Sequence, residues 1–215
     1  MKTRRERLES ALLYLVCDAR TDEFLHAALR GGVDLVQLRM KDAAKDAILD
    51  AAHRFRRVCD EHGALLIVND RPELALAADA DGVHVGQDDL PVAAARRVVG
   101  PERLVGLSTH SKAQVDAAVA LAVDYIGVGP VNETPTKPGR PAVGLDLVRY
   151  AAAHATIPFF AIGGISAFNV RAVREAGAGR VAVVRALTEA DDPEAVAHEL
   201  RLALARFGKA QVGAA

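Results

Sequence analysis

Residues 64–89 read ALLIVNDRPELALAADADGVHVGQDD. Two apolar, β-branched runs, LLIV and GVHV, each give way to acid, Asp70 after the first and Asp89 shortly after the second. Between them, Pro72 stands at a first-turn position and a helix-like stretch rich in Ala and Leu follows. Strand, helix and strand in succession imply a parallel pair joined by a right-handed crossover. Parallel strands point their carboxyl ends the same way, so both acids are expected on one rim of a β/α barrel. Two carboxylates on one rim suit Mg²⁺, and Mg²⁺ suits a pyrophosphate.

The same unit recurs along the chain. Eight short apolar runs begin at Leu12, Val33, Ala64, Gly82, Arg103, Asp124, Ile157 and Arg180. Most are apolar at successive positions, as strands buried on both faces should be. Ala-rich stretches with helical spacing separate them. In the stretch from Asp42 to Cys59, the residues Ala43, Ala47, Ile48, Ala51, Phe55 and Val58 form one stripe. Asp42, Ser111 and Ser166 are the expected N-caps, and Pro72, Pro91 and Pro193 the first-turn residues. Eight such units predict a single (β/α)8 TIM barrel, an α/β fold. An open doubly wound sheet is the alternative, weakened because no GxGxxG follows the first strand.

Length agrees: 215 residues make one barrel more readily than two domains. The barrel is expected over about 12–206, with the basic segment 1–10 and the tail 207–215 peripheral. Charge is balanced, with 27 Lys and Arg against 28 Asp and Glu, so nothing points to a nucleic-acid partner. No run approaches a membrane span or a signal peptide, and a cytoplasmic location is expected, with no membrane partner. Cys17 and Cys59 lack metal-ligand spacing and read as buried free thiols. A homo-oligomer is compatible with the sequence, which leaves oligomeric state open.

Polar residues gather at the carboxyl ends of the runs. Gln37, Arg39 and Lys41, spaced by two, share one face of the second. The third ends in Asn69 and Asp70, the fourth leads to Gln87 and Asp89, and the fifth ends in Ser108. After the sixth come Thr134, Thr136 and Lys137 in a long irregular stretch, residues 129–144, whose Pro and Gly exclude helix. After the seventh come Gly163 and Gly164. Each has an ordinary reading: a surface ion pair for Arg39 and Lys41, a helix cap for Asp70, Asp89 or Ser108, a tight turn for the glycines and for TPTKPG. His84 reads as a satisfied core histidine, and His110 receives no role. Those ordinary readings would have to hold independently at one end of six successive strands. Together the groups instead suit two anions, a pyrophosphate with Mg²⁺ near strands two to four and a monophosphate near strands seven and eight.

QLRMKD, VND, GVHVGQDDLP, GLSTHS, GVGPVNETPTKPGRP, FFAIGGI and VAVVRAL, in this order, closely resemble the thiamine-phosphate synthase family over about residues 14–200. The resemblance implies a transferase of thiamine biosynthesis. It joins 4-amino-2-methyl-5-hydroxymethylpyrimidine pyrophosphate to a thiazole phosphate, including its carboxylated form, and releases pyrophosphate with Mg²⁺ as cofactor. Carried over motif by motif, Gln37, Leu38, Arg39, Met40, Lys41, Asn69, Ser108 and Lys137 would contact the pyrimidine pyrophosphate. Asp70 and Asp89 would hold the metal. Thr134, Pro135, Thr136, Gly164, Val184 and Arg185 would hold the thiazole phosphate. Arg39, Lys41, Ser108 and Lys137 would carry catalysis. One departure is visible: Arg185 stands where the family commonly has Ser.

The implied mechanism is dissociative and needs no enzyme nucleophile. A thiazole tautomerase of the same fold has no use for a pyrophosphate–metal site, and Arg39, Lys41, Asp70, Asp89 and Lys137 together speak against it. A non-catalytic sensor of a phosphorylated ligand is disfavoured by the balanced charge and the lack of an appended module. A phosphate-binding isomerase of tryptophan biosynthesis would not require two rim carboxylates and TPTKPG.

Overall fold

The computed structural model describes residues 2–134 and 141–205. Eight parallel strands close into a barrel in sequence order: β1 (Leu13–Cys17), β2 (Leu35–Leu38), β3 (Leu65–Asn69), β4 (Gly82–Val85), β5 (Leu104–Thr109), β6 (Tyr125–Val128), β7 (Phe159–Ile162) and β8 (Val181–Val183). Closure is direct, with Leu13, Tyr14 and Leu15 of β1 opposite Val181, Ala182 and Val183 of β8. The expected eight strands and TIM-barrel class hold, and the open-sheet alternative does not.

Ten helices surround the strands among the described residues: α1 (Arg4–Ser10), α2 (Asp22–Arg30), α3 (Lys45–His62), α4 (Pro72–Ala77), α5 (Val92–Val99), α6 (Lys112–Val119), α7 (Gly144–His154), α8 (Val170–Glu175), α9 (Arg185–Thr188) and α10 (Pro193–Ala205). No helix of the described residues is long and apolar enough to cross a membrane. The period of two along each strand divides the interior into two layers. Leu13, Leu15 and Cys17 of β1, with Leu66 and Val68 of β3, face the helices and join their apolar stripes. Tyr14, Val16, Leu35, Leu65, Ile67, Leu104, Tyr125, Phe160 and Ala182 point inward and fill the barrel. Both cysteines are free and buried in the outer layer.

Several local expectations shift. Ser111 caps α6, its hydroxyl accepting from the Gln114 amide, and Pro72 and Pro193 begin α4 and α10. Asp42 lies outside α3, whose N-cap is Ala44 with no side-chain bond. Ser166 opens the turn before α8, while Asn169 holds the N-cap position. Pro91 is the N-cap of α5 rather than its first residue. On α3, Ala47 is exposed, and the buried stripe instead takes in Ala52 and Cys59. The stripe drifts because 3.6 residues per turn carries spacings of four and seven progressively around the axis.

The basic segment 1–10 is more than a fringe. Its residues form α1 across the N-terminal mouth, and Leu8 is buried with the inward-facing strand residues. Three carboxylates organise that mouth, each immediately before an even-numbered strand. Asp34 accepts from the Leu12 and Leu13 amides, Asp81 from the Leu66 amide and Asp124 from the Val105 amide. Each carboxylate tethers the start of the preceding strand to its own. Each also pairs with arginine: Asp34 with Arg201, Asp81 with Arg56 at 2.6 Å, and Asp124 with Arg96 at 2.5 Å. Arg4 and Arg5 reach down from α1 to Asp81 and Asp124, at 3.1 and 2.7 Å.

Asp81 is the most enclosed of the three carboxylates, its side chain 5 % exposed beside an Arg56 only 13 % exposed. Removing one partner of a buried pair strands the other charge at a cost of about 3–5 kcal/mol. Asp81→Ala is therefore expected to lower the unfolding free energy by about that amount in urea titration. The fraction that remains folded should keep its ligand affinity, because this mouth lies opposite the polar rim.

Candidate active site

At the carboxyl-terminal mouth, a cavity of about 260 Å³ opens into the barrel. Gln37, Arg39, Asn69, Ser108, Thr134, Gly164, Val184 and Arg185, all expected at a ligand site, line it together. They come from the ends of β2, β3 and β5 and from the connections after β2, β6, β7 and β8. The Arg39 amide continues the ladder by donating to the Cys17 carbonyl at 2.8 Å, so the residue leaves β2 with its direction still set by the sheet. Pairing in strands sends alternate side chains to opposite faces. Leu38 accordingly points into the helix layer, where Met40 also packs, so neither side chain joins the cavity. Pro135, Thr136 and Lys137 lie outside the described residues.

Asp70 and Asp89 meet at this rim. Asp70 takes a left-handed conformation, φ 59°, directly after β3, while its amide donates to the His84 carbonyl at 2.8 Å. Aspartate tolerates that region better than most residues. The kink turns the chain before α4, whose N-cap is Arg71, so Asp70 does not serve as the helix cap. Asp89 folds back within GQDD, its Oδ2 accepting from the Gly86 amide at 2.8 Å. The two carboxyl groups are in hydrogen-bonding contact, and Lys41 Nζ stands 3.9 Å from Asp70 Oδ2. Partial burial and the neighbouring Asp89 push the Asp70 carboxyl up to about 6, against the smaller opposing pull of Lys41 and Asn69. Two carboxylates held this close repel when both are ionised, and a divalent cation between them removes the repulsion.

That donor set fits Mg²⁺. It is all oxygen, and among the described residues no group of three or more His, Cys, Asp or Glu is placed to enclose a metal. Two protein carboxylates leave the remaining positions to water and phosphate oxygens, the arrangement Mg²⁺ favours.

The glycine pair after β7 lines the cavity and also shapes the neighbouring connection. Gly163 and Gly164 have φ of 109° and 60°. A Cβ on Gly163 would fall 2.5 Å from Pro130 Cα, and one on Gly164 would fall 2.8 Å from Asn132 Cβ. Asn132 Nδ2 donates to both glycine carbonyls, at 3.3 and 3.2 Å, and Asn169 Nδ2 donates to that of Gly164 at 2.7 Å. The pair thus seats the connection after β6 against the cavity it lines. Arg185 is exposed at the first turn of α9, with Glu189 3.8 Å away.

Sequence reasoning passed over the cavity floor. Tyr14, His84 and Phe160 line its inner end, and His110 its side. His84 is a buried, satisfied histidine as expected, yet it also faces the cavity: Nε2 lies 2.9 Å from Ser108 Oγ and Nδ1 3.2 Å from the Tyr125 hydroxyl. The available signal was a polar atom at an inward-facing strand position. Such a signal cannot be read before the inward face of each strand is known.

A family model described as thiamine monophosphate synthase matches residues 13–187. A thiamine-phosphate synthase of Saccharopolyspora erythraea is 55 % identical over 214 residues, covering 93 % of this chain and 96 % of that protein. One of Nostoc punctiforme is 51 % identical over 95 % of this chain, which spans 59 % of that longer relative. A solved thiamine phosphate pyrophosphorylase from Pyrococcus furiosus superposes with a TM-score of 0.85 at 32 % identity, covering 93 % of this chain and 96 % of that one. Since the match takes in all eight strands and every described rim residue, the chain belongs to the thiamine monophosphate synthase family.

Proposed function

We propose that this transferase couples the pyrimidine pyrophosphate to the thiazole phosphate at the carboxyl-terminal mouth, giving thiamine phosphate and pyrophosphate. The observation that carries the reading is the meeting of Asp70 and Asp89 beside Lys41, at the edge of a cavity lined by Arg39, Asn69 and Ser108. Asp70 and Asp89 hold Mg²⁺, which on binding supplies positive charge to the pyrophosphate oxygens. Arg39, Lys41 and Lys137 add fixed cationic charge to the same group. Gln37, Asn69 and Ser108 orient the pyrimidine pyrophosphate, with Leu38 and Met40 contributing backbone alone. Thr134, Pro135, Thr136, Gly164, Val184 and Arg185 surround the thiazole phosphate.

The bond between the pyrimidine methylene carbon and the pyrophosphate oxygen breaks first, and its electron pair leaves with the pyrophosphate. The electron-rich aminopyrimidine carries the resulting positive charge. The thiazole nitrogen then donates its lone pair to the methylene and forms the new C–N bond. The protein's contribution is placement and preorganised charge, with no covalent intermediate on a side chain. The partners are small molecules, with neither nucleic acid nor membrane among them. Two buried free thiols, Cys17 and Cys59, support a reducing, cytoplasmic location. Incubating purified protein with Mg²⁺ and both substrates, and assaying for thiamine phosphate, tests the reading directly; no product with both substrates present would overturn it.

Asp70→Asn separates function from stability. Asparagine keeps the shape and the left-handed backbone but cannot ionise, so Mg²⁺-dependent coupling should fall by at least about a hundredfold. The folded carboxyl titrates near 6, above its ordinary 3.8, so the folded state binds this proton more tightly than the unfolded state. Its ionisation costs stability that is absent below the ordinary value, grows as pH rises from about 4 to 6, and is complete above 6. Asp70→Asn should therefore raise the unfolding free energy of the metal-free protein at pH 7.5, on the order of 1–2 kcal/mol, with the gain fading toward pH 4 in denaturant titrations.

Two cations have separable signatures. Lys137→Ala is expected to slow single-turnover coupling about ten- to a hundredfold while leaving thiazole-phosphate affinity unchanged. Arg185→Ser is expected to weaken that affinity about three- to tenfold with single-turnover chemistry intact. An unchanged affinity would leave Arg185 to its ion pair with Glu189.

A further inference from the structure

The inner wall of the barrel holds a continuous file of hydrogen-bonding side chains. Gln37 Nε2 donates to the Tyr14 hydroxyl at 2.5 Å, and the Tyr14 and Tyr125 hydroxyls lie 2.9 Å apart. From Tyr125 the file passes to His84 Nδ1 at 3.2 Å, and His84 Nε2 reaches Ser108 Oγ at 2.9 Å. Gly106 makes the file possible. A Cβ there would fall 2.2 Å from the Tyr125 ring and 2.5 Å from His84 Nδ1.

The direction of the file follows from counting protons. The Gln37 amide nitrogen can only donate, so the Tyr14 oxygen accepts; the buried Tyr14 proton then needs an acceptor of its own, and the Tyr125 oxygen 2.9 Å away supplies it. Tyr125 has then accepted, and its proton goes to His84 Nδ1. A nitrogen that accepts carries no proton, so neutral His84 bears its proton on Nε2 and donates it to Ser108 Oγ. The Ser108 proton is left pointing into the cavity. Burial holds both phenols well above their ordinary range, so neither gives up its proton at neutral pH. A doubly protonated His84 would turn Nδ1 against the Tyr125 oxygen and leave the Tyr125 proton without this acceptor in a buried place.

We infer that this one-way relay makes His84 a positioning residue, which fixes the Ser108 hydroxyl as a hydrogen-bond donor to the ligand. The inference rests on the proposed substrate site and sharpens it. The ligand atom facing Ser108 is a bare acceptor, a ring nitrogen of the pyrimidine or a phosphate oxygen.

Two measurements test it. In the ligand-free protein, long-range ¹H–¹⁵N spectra of the histidine rings should show His84 singly protonated on Nε2 between pH 6 and 8. Protonation on Nδ1, or on both nitrogens, would overturn the relay whether or not the enzyme makes thiamine phosphate. In the coupling assay, His84→Leu should lower kcat/KM about five- to twentyfold, while His84→Gln, which can offer an N–H to Ser108, should restore most of it. In a Ser108→Ala background the same His84→Leu change should cost less than about twofold, because its target is gone. Additive losses would show that His84 does not act through Ser108. Wild-type protein that forms no thiamine phosphate would instead refute the proposed function, leaving the tautomer measurement to judge the relay alone.

Discussion

Parallel hydrogen bonding carried all the way round, from β1 through β8 and back to β1, is the constraint on which everything else depends. A parallel ladder has a direction, and eight of them in a ring give the molecule two chemically different mouths. Arg39, Asn69, Ser108 and Val184 are far apart in sequence. They share one cavity because each leaves its strand at the same end. The Arg39 amide, still bonded to the Cys17 carbonyl, shows how closely the ladder governs even the residue just past a strand.

The two mouths treat carboxylates in opposite ways. At the amino-terminal mouth, Asp34, Asp81 and Asp124 each receive backbone amides and at least one arginine, so their charge is compensated within the protein. Those residues tie consecutive strands together, and α1 adds further arginines from outside. At the other mouth, Asp70 and Asp89 face each other beside Lys41, and burial together with the neighbouring Asp89 carries the Asp70 carboxyl up to about 6. The same residue type thus stabilises one end of the barrel and is left in tension at the other. Tension of this kind would be relieved by an external cation, which is what the proposed function asks of this rim.

Much of the fold was legible because its signals are local. Eight apolar runs, Pro72 and Pro193 at helix starts and Ser111 as a cap depend on neighbours a few residues away. The candidate site was legible in part for the same reason: once strand order is known, residues following strands can be assigned to one rim. Where reading failed, the deciding neighbour was distant. Leu8 plugs a barrel it does not belong to by sequence, and Ala47 loses its place on the stripe to Ala52 and Cys59. Tyr14, Tyr125 and His84 stand singly in apolar runs, and their partners sit on other strands.

The sequence by itself determined the count and direction of the strands, the class of fold, and the set of anion- and metal-compatible side chains that follow them. Period-two and helical patterns, and residue chemistry, need no knowledge of distant contacts. Only the tertiary structure decided that Asp70 and Asp89 touch, that Leu38 turns away while Gln37 turns in, and that five side chains from five strands form one directed file. Those outcomes depend on cross-strand register and on barrel closure, and register is a relation between segments that no single segment contains.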